Sequence, residues 1–169
     1  LGPLLPKALL RQESIVFLGG RFEGWQTAIE LIKHHPFRGY GFGIEELLFD
    51  YFGYDFQMHA GAYVHNCFLG LALQLGWIAA SLFYLGIIVF LAKSYFGLST
   101  IHPQSRSLAV ALYACLFAGF VNSLFEAWIY SAGGIFAFPF FVFMMFLMRL
   151  FDLRSIRAVP PVAVFRTAL

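Results

Sequence analysis

Polar and apolar residues alternate over the first third of the chain. From Cys67 onward apolar runs dominate, broken by short polar connections. These runs predict three transmembrane helices, at about 67–92, 108–127 and 129–150, each close to the ~20 residues that the hydrocarbon of a bilayer requires. Ahead of them, Phe22, Trp25, Ala28, Ile29 and Ile32 recur at helical spacing, while Glu23, Gln26, Thr27, Glu30 and Lys33 fill the other side. That pattern predicts an amphipathic helix over 21–34. Gly19-Gly20 is expected to break the chain before it, Pro36 to end it, and Trp25 to suit a membrane interface. Residues 1–18, with Pro3 and Pro6, form a mixed segment whose apolar part is too short to span. A second short amphipathic helix is predicted over 45–54, and a polar stretch over 55–63 leads to Val64-His65-Asn66-Cys67.

Composition sharpens this into a fold class. The 169 residues are 60% hydrophobic and only 12% charged, with a mean hydropathy of +0.76. A soluble domain has nearer a quarter of its residues charged. The expected fold is therefore all-α: a polytopic integral membrane protein in which extracytoplasmic amphipathic helices precede three transmembrane helices. The net charge of +2 is too small to argue for nucleic acid. The chain opens on Leu1 with no signal-peptide pattern, and is read as a piece of a larger multi-span protein. Cys67 and Cys115 fall in apolar runs, where cysteine behaves as a small hydrophobe.

Charge also orients the chain. The linker 93–107 carries Lys93 and Arg106, and the tail carries Arg154, Arg157 and Arg166, whereas the connection around Trp128 has no lysine or arginine. Short basic loops stay cytoplasmic, so the linker and tail are expected inside, and Glu126 and His65 outside. Residues 1–64 carry five basic and seven acidic groups, but long loops translocate largely regardless of charge. Three regions result: an extracytoplasmic helical segment over 1–64, three spans over 65–151, and a cytoplasmic tail over 152–169.

His65 then stands at a membrane surface, at the expected start of a helix. Such a start favours a neutral imidazole and offers free N–H groups to an anion. A helix from about Asn66 would place Gly76 about three turns below the histidine on the same face, with Ala72, Ala79 and Ala80 near that stripe. By itself a lone histidine at a helix start is more often a capping or interfacial residue than a catalyst. Arg21 and Arg38 could pair their donors with phosphate oxygens beside the histidine, or be solvated side chains. Glu126 is the one acid expected to be buried in the apolar region, with Asn122 four residues before it. It could orient the imidazole, bind a sugar hydroxyl, or form an ion pair with Arg21 or Arg38. His34, His35, His59 and His102 have no spacing that gathers metal ligands, so no metal is expected. The turn His35-Pro36-Phe37-Arg38-Gly39-Tyr40-Gly41-Phe42-Gly43 lacks the spacing of a dinucleotide or phosphate loop.

Three pieces, in this order, resemble the bacterial O-antigen ligase and O-antigen polymerase superfamily. They are Gly20-Arg21 with Trp25, the run from His35 to Gly41, and His65-Asn66 followed after nine residues by Gly76. The resemblance implies a multi-pass enzyme of the bacterial inner membrane, with its site facing the periplasm or cell exterior and no metal or cofactor. It implies as partners an undecaprenyl-diphosphate-linked glycan, an acceptor glycan, lipid or protein, and membrane lipid. Carried over by position, His65 is the base that deprotonates the acceptor and Arg21 holds the diphosphate. Arg38, Trp25, Asn66 and Glu126 are the substrate-binding candidates. Two departures stand out: Ala79 replaces the glycine, threonine or tyrosine of the ligase form, and the slot of Arg38 is usually apolar. Ligase, polymerase and protein-glycosylating activities therefore stay open. The alternative from another class is a non-catalytic polysaccharide exporter subunit or transporter, which would set ionisable groups near the bilayer midplane.

Overall fold

The computed structural model describes residues 12–52, 64–130 and 135–157, and for 12–20, 23 and 153–157 the backbone alone. The predicted polar stretch 55–63 and most of the tail lie outside the described residues. Within them the protein is all-helical: α1 (Gln12–His34), α2 (Glu45–Tyr51), α3 (Cys67–Gly97), a single 3-10 turn, α4 (Pro103–Ser123) and α5 (Ala137–Arg157).

The predicted amphipathic helix is the C-terminal part of α1. Gly19-Gly20 does not break it; the backbone stays helical from Gln12, because glycine lowers helix stability without forbidding the conformation. Ala28, Leu31 and Ile32 are buried, while Phe22 and Ile29 point outward, so the packed seam is narrower than the sequence stripe. α1 ends before Pro36, as expected, and α2 stops at Tyr51, short of the predicted 54.

α3 carries two different environments. Its first arm, through Gln74, is buried almost throughout, beside α1 and α2. Below Gly76 only a seam of Ala80, Tyr84, Ile87, Leu91 and Ser94 is buried, while Ile78, Leu82, Leu85, Ile88 and Val89 are exposed. A helix that is apolar all round yet covered on one seam is suited to lipid rather than water. From Trp77 to Gly97 the rise of 1.5 Å per residue gives about 31 Å, and the 21 residues of α4 give the same, matching a hydrocarbon core of about 30 Å. The two helices run antiparallel through a short connection, with the Tyr84 hydroxyl 3.1 Å from Ser123 Oγ. This is a membrane protein with two candidate spans.

The third predicted span is corrected. Residues 124–130 form an ordered turn, and α5 begins only at Ala137. From there about twelve apolar residues precede Arg149, and Asp152 follows. Such a run covers about 18 Å, too little to cross the hydrocarbon. The predicted span at 129–150 had joined the turn to the helix as if the backbone were continuous.

Candidate active site

The step from His65 to Gly76 is not one straight helical face. Gly76 has φ 84° and ψ 165°, which interrupts α3. The break frees the carbonyls of Leu73 and Gln74 and the N–H of Trp77, and a membrane protein must satisfy such groups internally. The proline–glycine turn does so. Tyr40 N–H donates to the Leu73 carbonyl and Gly41 N–H to that of Gln74, each at 2.9 Å, while Trp77 N–H donates to the Pro36 carbonyl at 2.8 Å. The contact is backbone against backbone: a Cβ on Gly76 would strike the Phe37 carbonyl, and one on Gly39 the peptide of Gln74. Two of the sequence motifs thus form one joint, and the expectation that Gly76 lies below His65 as a helix-packing residue is replaced by this.

Above the joint, α3 starts as predicted. Asn66 is its N-cap, with Oδ1 accepting from Leu69 N–H at 3.0 Å. Its Nδ2 donates to the Leu124 carbonyl at 2.8 Å, so both polar ends of the side chain are engaged within the protein. Cys67 is more than a small hydrophobe. Its Sγ accepts from the N–H groups of Trp128 and Ile129 at 3.2 and 3.3 Å, and donates to the Glu126 carbonyl at 2.9 Å. The start of α3 therefore grips the turn that carries Glu126.

That grip brings three predicted residues together. Glu126 Oε2 lies 3.2 Å from His65 Nδ1, and Oε1 accepts from Arg21 at 2.7 Å. One carboxylate joins an imidazole and a guanidinium that stand forty-four positions apart in sequence (65 − 21). In the neutral tautomer whose Nδ1–H donates to the carboxylate, Nε2 keeps its lone pair. All three side chains are partly open, Glu126 at 38%. Glu126 also lines a mostly apolar groove of about 580 Å³ between α4 and α5, with Asn122, Trp128, Gly119, Phe140 and Phe143. Asn122 Oδ1 accepts from the Trp128 indole at 2.8 Å.

The other candidates are placed differently. Trp25 packs its ring against Phe125, with centroids 6.4 Å apart, and its buried indole N–H has no hydrogen-bond partner among the described residues. Arg38 is exposed on the proline–glycine turn and takes no part in the hydrogen bonds of the cluster. No group of three or more His, Cys, Asp or Glu side chains suited to a metal ion occurs among the described residues.

Glu126 is not the most buried acid. Glu45, at 3% exposure, accepts from Val64 N–H at 2.6 Å, the Tyr130 hydroxyl at 2.7 Å and Gln74 Nε2 at 3.2 Å. Burial pushes its carboxyl above the ordinary range, against the pull of these donors, and burial likewise raises the Tyr130 hydroxyl. Tyr130 reaches Glu45 across Gly70, where any Cβ would collide with the phenol. A signal for Glu45 existed, since it shares a helical face with the buried Leu48 and Phe49.

With this geometry in hand, comparison with protein families decides the resemblance. Residues 13–84 match the family model of the O-antigen ligase. The matched stretch contains Arg21, the proline–glycine turn, His65 and the Gly76 break, and ends inside α3. Glu126 lies beyond it. No curated protein and no solved structure matches the chain. The likeness to the O-antigen ligase family, first read from three motifs, therefore stands over this segment.

Proposed function

We propose that the protein is a membrane glycosyltransferase, moving a glycan from an undecaprenyl-diphosphate carrier to an acceptor hydroxyl at the outer face of the bacterial inner membrane. The family match implies a glycan-transferring enzyme. The observation that carries the reading for this chain is the single carboxylate of Glu126 between His65 and Arg21.

Each group has a role in such a transfer. His65 Nε2 takes the proton of the acceptor hydroxyl as its oxygen attacks the anomeric carbon. The bond from that carbon to the diphosphate oxygen breaks, and the departing diphosphate carries the negative charge. Arg21 meets that charge with paired donors. Glu126 fixes the ring and its tautomer and balances the imidazolium that forms.

A broken helix is also a mark of transporters, whose unwound backbone binds ions near the bilayer midplane. Here the turn 36–41 takes up the groups freed at Gly76, and the titratable cluster sits at the end of the spans. Both features favour chemistry at the surface over a path through the membrane.

The test is transfer of a fluorescent glycan from synthetic undecaprenyl diphosphate to a panel of acceptors by the full-length protein. His65→Ala and Arg21→Ala are run alongside at matched membrane levels. Loss of transfer in both supports the reading; normal transfer by His65→Ala removes the base.

A further inference from the structure

His65 is the single non-glycine residue with positive φ among the described residues, at 48°. For a residue with a Cβ this left-handed conformation is unfavourable, so its neighbours must hold it. On the C-terminal side the cap made by Asn66 does so. On the N-terminal side the holder is Glu45, whose Oε1 takes the N–H of the buried Val64. The other oxygen of the same carboxylate takes the hydroxyl of Tyr130, four residues beyond Glu126. Gln74 Nε2 donates to that oxygen, while Gln74 Oε1 accepts from Gly43 N–H at 2.7 Å, so the carboxylate is also tied to the joint at Gly76.

We propose that Glu45 is a positioning residue for the His65–Glu126 pair: through Val64 it fixes the backbone that aims the imidazole, and through Tyr130 the turn that carries its carboxylate partner. Glu45 reaches the pair through these two links, and its charge also attracts His65. This role rests on the reading of His65 as the base. A carboxylate suits it because two oxygens can accept from three converging donors, which no neutral side chain of that size matches.

The test compares Glu45→Asp, Glu45→Gln and Tyr130→Phe in the full-length protein, using a fluorescent undecaprenyl-diphosphate oligosaccharide and the acceptor that the wild type labels. Membrane level and Tm are recorded for each. Asp withdraws the carboxylate by one methylene, about 1.5 Å, from the Val64 N–H. Misplacement on that scale predicts a fall in kcat of about 100-fold with donor KM within about twofold, since Arg21 is untouched. Glu45→Gln keeps one oxygen for Val64 and should recover transfer to within about tenfold of wild type; Tyr130→Phe should lower kcat in the same sense but less. Wild-type kcat in Glu45→Asp overturns the proposal. So does a rise in donor KM and a drop in Tm, equal in Asp and Gln variants, with kcat unchanged, which marks a general buttress. If His65→Ala abolishes transfer while Glu45→Asp keeps wild-type kcat, the base stands and the positioning role alone fails. Normal transfer by His65→Ala removes both.

Discussion

Glu126 holds His65 Nδ1 at 3.2 Å with one oxygen and Arg21 at 2.7 Å with the other. The pair is therefore a triad in which the acid serves two partners. A glutamine at this position must turn its NH₂ group toward either the imidazole or the guanidinium. Either way one partnership is lost, and an amide N–H facing Nδ1 also favours the wrong tautomer. Glu126→Gln should lower kcat by about 10- to 100-fold, no less than Glu126→Ala does, in steady-state transfer at matched protein levels.

Arg21 tests the electrophilic side. Lysine keeps the charge but loses the planar fork that can hold Glu126 and a diphosphate together. Arg21→Lys should raise donor KM and lower kcat together, and Arg21→Ala should cost about 100- to 1,000-fold in kcat/KM. An unchanged kcat/KM in Arg21→Ala would leave the guanidinium with a structural role only.

The joint between the proline–glycine turn and the broken helix predicts a stability defect. At Gly76 a methyl group meets the Phe37 carbonyl, and φ 84° is itself unfavourable for alanine. The conformational part alone is about 1–3 kcal/mol, before any clash. Gly76→Ala should lower the Tm in detergent and the amount reaching the membrane, whereas Gly86→Ala, in open space on the same helix, should leave both unchanged.

Glu45 gives a pH dependence whose sign follows from the direction of its shift. Burial raises its folded pKa above the ordinary 4.5, so the folded state binds the proton more tightly than the unfolded chain. Its contribution to stability is complete below about 4.5 and is lost as pH rises through the raised value. Relative to Glu45→Gln, which does not titrate, wild-type Tm should be highest at acidic pH and decline as pH rises above 4.5. A parallel pair of Tm curves across that window would contradict it.

Periodicity and hydropathy were enough to read the all-helical membrane architecture, the helix ending before Pro36, and the start of α3 at Cys67. Local composition dictates each of these, because a cap, a proline or an apolar run acts within a few residues. Charge patterning placed Glu126 and His65 on one side, and the antiparallel α3 and α4 bring them into contact. What the chain could not disclose along its length was how its motifs use one another. Gly76 reads as a small residue on a helix face, and only a turn forty positions earlier makes it a break. The apolar run at 129–150 looks like a span until Cys67 and Asn66 pin residues 124–129 into a turn and leave α5 too short. Glu45 shares a helical face with Leu48 and Phe49, but its partners are not legible there: Val64, Gln74 and Tyr130 converge on it from three other places in the chain. Local structure follows from neighbours in sequence; burial, a helix break and a shared carboxylate depend on groups that only the folded chain brings within hydrogen-bonding distance.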